Sequence, residues 1–141
     1  MKAKYLIVII LIAILAGVGI GLKMYFKPHA DINNLDATIK LDAPSLISEF
    51  QQNETAATAK YSEKVLEIAG KLVAKNKLEN GTDVLVLEDE MQGISCQLDS
   101  VWAKANQADI QKLEKGSPVK LKGVCKGFLM EIKVSPAIIV K

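Results

Sequence analysis

Residues 64–75 read KVLEIAGKLVAK, and this stretch decides the fold. Apolar residues that include Leu66 and Ile68 share one phase of a two-residue period, while the charged Lys71 lies on the other phase. Such an alternation is typical of a strand with one buried face. Gly70 interrupts the pattern where a sharply curved strand needs a bulge or a bend. The residues therefore predict a strand that curves into a barrel.

Further strands follow on the C-terminal side. Asn80-Gly81 favours a tight turn after the first strand, and Gly127-Phe128 is interpreted as a turn between the last two. Residues 99–115 break the alternation and suit one or two short helical turns. Three strands, a helix and two strands is the order of a five-stranded Greek-key OB-fold barrel, so we predict this mainly β fold; a generic β-sandwich is the alternative. The strands are predicted over residues 64–75, 82–87, 93–98, 118–126 and 130–140.

The chain before the first strand predicts an α-helix and a transmembrane helix. Apolar residues in 44–60 fall on one helical face. Residues 5–22 carry no charge, and as a helix they reach about 27 Å, close to a hydrocarbon core of ~30 Å. We therefore predict a membrane anchor over 1–27, a polar linker over 28–43, and a helix plus OB-fold domain over 44–141. A cleaved signal peptide is the alternative for the N-terminus.

The charges on the two sides of the apolar segment bear on its orientation in the membrane. Lys2 and Lys4 precede it and Lys23 and Lys27 follow it, so the positive charges are nearly balanced. Charge on the short N-terminal tail can hold that end inside, and long domains are translocated largely regardless of their charge. We expect a single-pass protein of the inner (cytoplasmic) membrane whose C-terminal domain lies in the periplasm.

Composition narrows the class of function. The chain has 18 Lys and Arg, 16 Asp and Glu, and one His. Residues 28–141 keep 14 of the basic and all 16 of the acidic residues, for a net charge of −2. This balance disfavours a basic nucleic-acid binder. The one histidine, His29, falls in the predicted linker, so no acid–base pair or nucleophile is available to a barrel enzyme. We expect no enzymatic activity, no cofactor and no metal site.

Cys96 and Cys125 both lie on the apolar phase of their predicted strands, so both thiols should point into the barrel. Outside the cytoplasm they could form a disulfide if their Cα atoms come within about 4.4–6.8 Å. The alternative is two buried free thiols that pack as small apolar side chains. A zinc site is disfavoured because two thiolates fall short of the four ligands that zinc requires.

Several segments together resemble the tRNA_anti-like family of small membrane-tethered OB-fold proteins. They are KPHADI at 27–32, NETAATAKYSEKVLEIAGKLV at 53–73, GISCQL at 93–98 and LEKGSPVKLKGVCKGFLMEI at 113–132. The resemblance implies an OB-fold related to nucleic-acid-binding OB domains, and it brings no catalytic residues and no assigned function. Such proteins often carry a further Cys in the last strand, where this chain has Ala137.

The leading hypothesis is a non-enzymatic, monomeric binding or scaffolding module. OB-folds bind ligands on the face of their second and third strands, between the loops after the first and fourth. Here Phe128 is interpreted as the one exposed aromatic side chain of that face. The face predicts a protein, peptide or glycan ligand. Its residues are Asn76, Lys77, Asn80, Ser95, Gln97 and Phe128.

A single-stranded nucleic acid is the alternative ligand. Such binding needs stacking aromatic rings on a basic groove, whereas the outward residues of the third strand are Ser95 and Gln97. Lysines on the first and fourth strands could still form one basic ridge for phosphates or anionic lipids, because these strands are neighbours in an OB barrel. The predicted ridge consists of Lys71, Lys75, Lys120, Lys122 and Lys126.

Overall fold

The computed structural model describes residues 2–25 and 31–141, which belong to two compact units, Met1–Ala30 and Asp31–Lys141. The first unit is helix α1 (Lys2–Tyr25), and its described apolar side chains, such as Ile9 and Leu15, are largely exposed. No helix among the described residues meets the combined length and hydropathy of a membrane span. His29 lies outside the described residues.

The second unit is built mainly from β-strands. Five strands close into a barrel in the order β2-β3-β4-β6-β5, and β5 returns to pair with β2. This is the strand order of an OB-fold, so the predicted sequence of three strands, a helical segment and two strands is confirmed. The elements are a 3₁₀ turn (Ile32–Asn34), β1 (Ile39–Asp42), α2 (Ala43–Gln52), α3 (Glu54–Tyr61), β2 (Val65–Lys77), β3 (Asp83–Leu87), β4 (Ile94–Leu98), α4 (Ser100–Ala105), α5 (Gln107–Lys112), β5 (Pro118–Leu129) and β6 (Glu131–Val140).

A sixth strand, β1, lies within the segment that the sequence indicated as a linker. It pairs in parallel with the first half of β2, from Ile39 opposite Leu66 onwards, while β3 pairs with the second half. Gly70 lies where the partner changes. A Cβ atom there would come within 2.7 Å of the Ala43 Cβ, so the close approach of α2 requires a glycine. The register shift of β2 itself falls between Leu72 and Ala74 rather than at Gly70.

The helix predicted over residues 44–60 is two helices. Asn53 has φ −156° and ψ 90°, an extended conformation that ends α2, and its side-chain oxygen accepts the backbone N–H of Ala56 at the start of α3. Asparagine favours such N-caps because its side chain replaces a missing backbone acceptor. The buried faces of the two helices, with Phe50 and Tyr61, pack on the barrel core.

The barrel core contains the inward residues that the alternation predicted. Leu66, Ile68 and Leu72 of β2 are completely buried, and so are Cys96 and Cys125. The assigned phases of these strands are therefore confirmed. Side chains from β3, β4, β5 and β6 complete the core, namely Leu85, Leu87, Ile94, Leu98, Val119, Leu121, Ile132, Val134 and Ala137.

The two thiols are free, so the disulfide alternative is not realised. The strand register explains why. Cys96 of β4 and Cys125 of β5 both lie opposite Val134, on the two sides of β6. Two strand spacings of about 4.8 Å separate them, which exceeds the Cα separation that a disulfide permits. Burial raises the pKa of both thiols, so neither is a ready nucleophile.

The predicted turn at Gly127-Phe128 is wrong. Strand β5 continues to Leu129, and the chain reverses at Met130, which has φ 68°. Gly127 has φ 103° and lies at an irregularity of the β5–β6 register, so this glycine marks a bulge rather than a turn. The β5–β6 hairpin is consequently longer than expected, and its tip carries Leu129 and Met130.

Candidate ligand-binding groove

A groove of about 430 Å³ crosses the outer face of β3, β4 and β6. This is the face on which OB-folds bind their ligands. It extends from the end of β2 to the start of β6, and it also includes one residue each from the β3–β4 loop and from β5. Its lining residues are Asn76, Leu78, Val84, Val86, Glu90, Ser95, Gln97, Lys126, Glu131, Lys133, Val134 and Ser135.

Valine side chains form the floor of the groove. Val84 and Val86 lie on the outward phase of β3, yet only 7% and 5% of their surfaces are exposed. They stand opposite Gln97 and Ser95 of β4, and the Ser135 hydroxyl lies 3.4 Å from the Gln97 Oε1. The floor is thus apolar, and short hydroxyl and amide side chains from β4 and β6 flank it.

The charged residues of the groove are paired with opposite charges. Lys126 Nζ lies 2.9 Å from a Glu63 carboxylate oxygen, Lys133 Nζ lies 4.0 Å from Glu131, and Glu90 pairs with a lysine outside the groove at 2.8 Å. Exposed pairs of this kind contribute little to stability. These pairs leave the net charge of the groove close to zero. No aromatic ring is among the lining residues.

The structure brings together only part of the predicted ligand face. Asn76, Ser95 and Gln97 line the groove. Lys77 instead pairs with an aspartate at 3.5 Å, and the Asn80 side chain accepts the Thr82 backbone N–H within its own turn.

Phe128 is not an exposed platform, which corrects the prediction. Its ring stacks on Phe50 of α2 with centroids 6.0 Å apart, and it packs against the barrel core. Because β5 extends past Gly127, Phe128 pairs with Ile132 inside the β5–β6 hairpin. The missing turn therefore moves this ring from the binding face to the packing between the barrel and α2.

Several groove residues were missed from the sequence. The sequence pattern of β3 could have indicated the floor valines, because this strand is apolar on both of its phases, whereas a solvated outer face would carry polar residues. The polar residues of β6, Glu131, Lys133 and Ser135, also alternate with buried ones. Their place beside Ser95 follows from the parallel pairing of β4 with β6, a long-range contact that sequence periodicity does not reveal.

Exposed apolar side chains border one end of the groove. Leu129, Met130 and Met91 are 73%, 83% and 82% exposed, and we call these three residues the apolar rim. The Ile132 backbone N–H donates to the Gly93 carbonyl oxygen at 3.2 Å. This bond joins the starts of parallel strands β4 and β6, so the β3–β4 loop and the β5–β6 turn that precede them lie at the same end of the barrel.

The predicted basic ridge is largely occupied by contacts within the protein. β2 and β5 are neighbours, as expected. However, the Lys75 ammonium donates to carbonyl oxygens at the end of α5. The Lys122 ammonium donates to two carbonyl oxygens, one within the 3₁₀ turn and one just after it. Lys126 forms the ion pair described above. Lys71 and Lys120 are exposed. These five lysines therefore do not present one free cationic surface.

Within residues 2–25 and 31–141, no group of three His, Cys, Asp or Glu side chains is placed to hold a metal ion. The titratable groups along the groove are carboxylates and ammonium groups in ion pairs. What the arrangement offers chemically is a concave, nearly neutral surface with an apolar floor. The fold and this groove together define the class: an OB-fold barrel with an open groove on its outer face.

The chain belongs to the tRNA_anti-like family, whose family model matches residues 1–135. Among solved structures, it is similar to a "putative nucleic acid-binding lipoprotein" of Klebsiella pneumoniae, with 17% identity and a TM-score of 0.56 over 82% of this chain and 100% of that one. This likeness shows the shared fold. No curated protein sequence matches the chain.

Two further solved structures are more distantly similar. One is the Stn1–Ten1 complex of S. pombe, with 16% identity and a TM-score of 0.41 over 55% of this chain and 58% of that one. The other is the aspartyl-tRNA synthetase of Entamoeba histolytica, with 18% identity and a TM-score of 0.43 over 58% of this chain and 19% of that one.

Proposed function

We propose that this protein is a non-enzymatic binding module whose groove holds an extended polypeptide segment of a partner protein. The observation that carries the proposal is the apolar floor of Val84 and Val86 beside the polar side chains of Ser95 and Gln97. Ligand sites typically combine an apolar surface with a few polar groups that fix orientation. A polypeptide meets both requirements, because its side chains can cover the valines while its backbone amides bond to hydroxyl and amide groups.

The apolar rim supports the same choice of ligand. Methionine is flexible and polarisable, and it is frequent on surfaces that adapt to different protein partners. Met130 is also held at φ 68°, a conformation that costs an L-residue roughly 1–2 kcal/mol and that glycine or asparagine would adopt more readily. An apolar side chain kept at an exposed and strained position favours a role in contact with a partner.

The charges favour a polypeptide over a polyanion. Lys126 is paired with Glu63 and Lys133 lies 4.0 Å from Glu131, so a carboxylate beside each lysine would repel a phosphate. Single-stranded nucleic acids also depend on stacking with aromatic rings, and the residues that line the groove include none.

The proposal includes an N-terminal tether in the inner membrane, with the barrel in the periplasm. Its support is the uncharged run of residues 5–22, which forms helix α1 with exposed apolar side chains such as Ile12 and Ile20. Confinement to a membrane surface raises the effective concentration of the module towards other membrane-bound proteins. Resistance of the protein to carbonate extraction, together with protease access in spheroplasts, tests the anchor and its orientation.

Affinity selection with a random dodecapeptide display library tests the groove, using the full chain in detergent micelles. We expect enriched peptides that carry large apolar residues. Val86→Lys places a charge on the floor and should abolish the enrichment, whereas Val101→Lys makes the same substitution at a 77% exposed position of α4 outside the groove and should preserve it. Gln97→Ala is a milder second variant that keeps the floor intact, and it should weaken binding.

Equal enrichment by the wild type and both groove variants would overturn the proposal. Circular dichroism of each variant separates loss of the site from loss of the fold.

Binding of single-stranded nucleic acid is the second candidate function. The name of the similar Klebsiella pneumoniae protein refers to nucleic-acid binding, and two lysines, Lys126 and Lys133, line the groove of this chain. A gel shift with oligo-dT and oligo-U at two salt concentrations tests it, because binding driven by phosphate contacts weakens steeply with salt. Tight, salt-sensitive binding that Lys133→Ala reduces would make this candidate the leading one.

A further inference from the structure

A second cavity, of about 240 Å³, lies beside α4, α5 and the end of β6. We call it the Trp102 cavity. It shares no lining residue with the groove. Its volume is below the ~300–1,000 Å³ of pockets that enclose drug-sized ligands, so it suits a single ring rather than a chain. Its lining residues are Trp102, Asn106, Asp109, Leu113, Ile139 and Lys141.

Trp102 is the only tryptophan of the chain, and its backbone is fixed in place. The Asp99 carboxylate caps α4 by accepting the backbone N–H of Trp102 at 2.8 Å. The ring packs partly against the barrel core. In the described part of the chain its indole N–H has no acceptor, and it is not a buried unsatisfied group, so it remains accessible as a donor.

Polar groups that can bond to hydroxyls line the same cavity as Trp102. The Asn106 side-chain amide donates to the Trp102 carbonyl oxygen at 2.8 Å, which orients the amide and leaves its own oxygen as a free acceptor. The Asp109 carboxylate is about half exposed and lies 3.9 Å from the Lys141 ammonium. Leu113 completes the apolar wall. One aromatic ring, apolar walls, two acceptors and two donors thus meet in one small cavity.

We propose that the Trp102 cavity binds one pyranose ring of a neutral glycan. A sugar ring has an aliphatic C–H face that packs on an indole, as aromatic side chains combine a large apolar surface with a polar edge. Its hydroxyl groups both donate and accept, and therefore match the mixed set of Asn106, Asp109 and Lys141. A phosphorylated ligand fits less well, because the Asp109 carboxylate would repel it.

Tryptophan fluorescence tests the proposal directly, since Trp102 is the only emitter of its kind. The full chain is titrated in a detergent without a sugar headgroup, using glucose, galactose, N-acetylglucosamine and chitotriose as probes. We expect a saturable change in emission with at least one of them. Asp109→Asn should weaken that affinity about tenfold, the usual consequence of replacing a charged hydrogen-bond acceptor. Asn106→Ala should weaken it as well.

Two controls separate this site from other effects. Asp36→Asn makes the same substitution at an exposed aspartate outside the cavity and should leave the titration unchanged. Gln97→Ala changes a groove residue outside the Trp102 cavity, so a persisting response shows that the two sites are independent. The proposal is overturned if no sugar gives a saturable change, if both cavity variants titrate like the wild type, or if uridine and adenosine give the response instead.

Discussion

Strand β4 has two faces of opposite character. Ile94, Cys96 and Leu98 point inwards and are at most 2% exposed, whereas Ser95 and Gln97 lie between them on the groove. Five consecutive residues therefore serve both the core and the binding surface. Substitutions on the inward face should therefore alter stability, whereas substitutions on the outward face should alter binding and leave stability nearly constant.

The largest expected effect is in the barrel interior. Ile68 is completely buried in β2, and Ile68→Ala removes packed atoms and leaves a cavity. We expect a loss of about 2–5 kcal/mol in the free energy of unfolding, measured by urea denaturation. Val101→Ala, at an exposed site, should change it by less than about 0.5 kcal/mol. Similar values for the two variants would mean that the interior and the surface do not differ as described.

Gly123→Ala should have the next largest effect. A Cβ atom at Gly123 would lie 2.6 Å from a Val134 methyl carbon and 2.8 Å from the Pro136 carbonyl oxygen. Because backbone cannot move aside easily, we expect a loss of about 1–3 kcal/mol, typical of overpacking. Ser95→Ala on the outward face is the matched comparison and should be nearly neutral in the same denaturation experiment. A neutral Gly123→Ala would show that β5 and β6 can separate.

The reactivity of the two buried thiols also distinguishes the barrel interior from the surface. Cys96 and Cys125 should react with a thiol reagent only after unfolding, and without prior reduction. Burial raises the pKa of the Cys96 thiol from its ordinary value of 9.0. Above about pH 9 the unfolded chain ionises this thiol and the folded chain does not, so the free energy of unfolding should fall as pH rises. Cys96→Ala should flatten that part of the pH profile. Rapid labelling of the native protein would contradict the inward placement.

The smallest expected effect on stability is at the apolar rim. Met130→Gly relieves the φ 68° conformation and should raise the free energy of unfolding by at most about 1 kcal/mol, while it reduces peptide enrichment. Leu129→Gly, in the extended end of β5, lacks this relief and should lower stability. A Met130→Gly variant that binds peptides normally would remove the rim from the binding surface.

Local patterns predicted much of the barrel. The alternation around Leu66 and Ile68 and the inward phases of Cys96 and Cys125 are properties of a two-residue period, which any strand with one buried face must show. The groove was predicted only in part. Gln97 could be assigned from its phase, but Phe128 was misplaced because Gly127 was interpreted as a turn residue rather than a bulge.

The sequence by itself determined the order of the barrel strands along the chain, their inward residues and the family resemblance, because each depends on periodicity or on short motifs read along the chain. Only the tertiary structure decided that β1 pairs with β2, that β6 lies beside β4, and that Phe128 packs on Phe50. These contacts join residues distant in sequence, and their geometry depends on how the closed barrel curves. The same long-range pairing keeps the two thiols apart, because β6 lies between β4 and β5, and it places the floor valines beside the polar residues of β4.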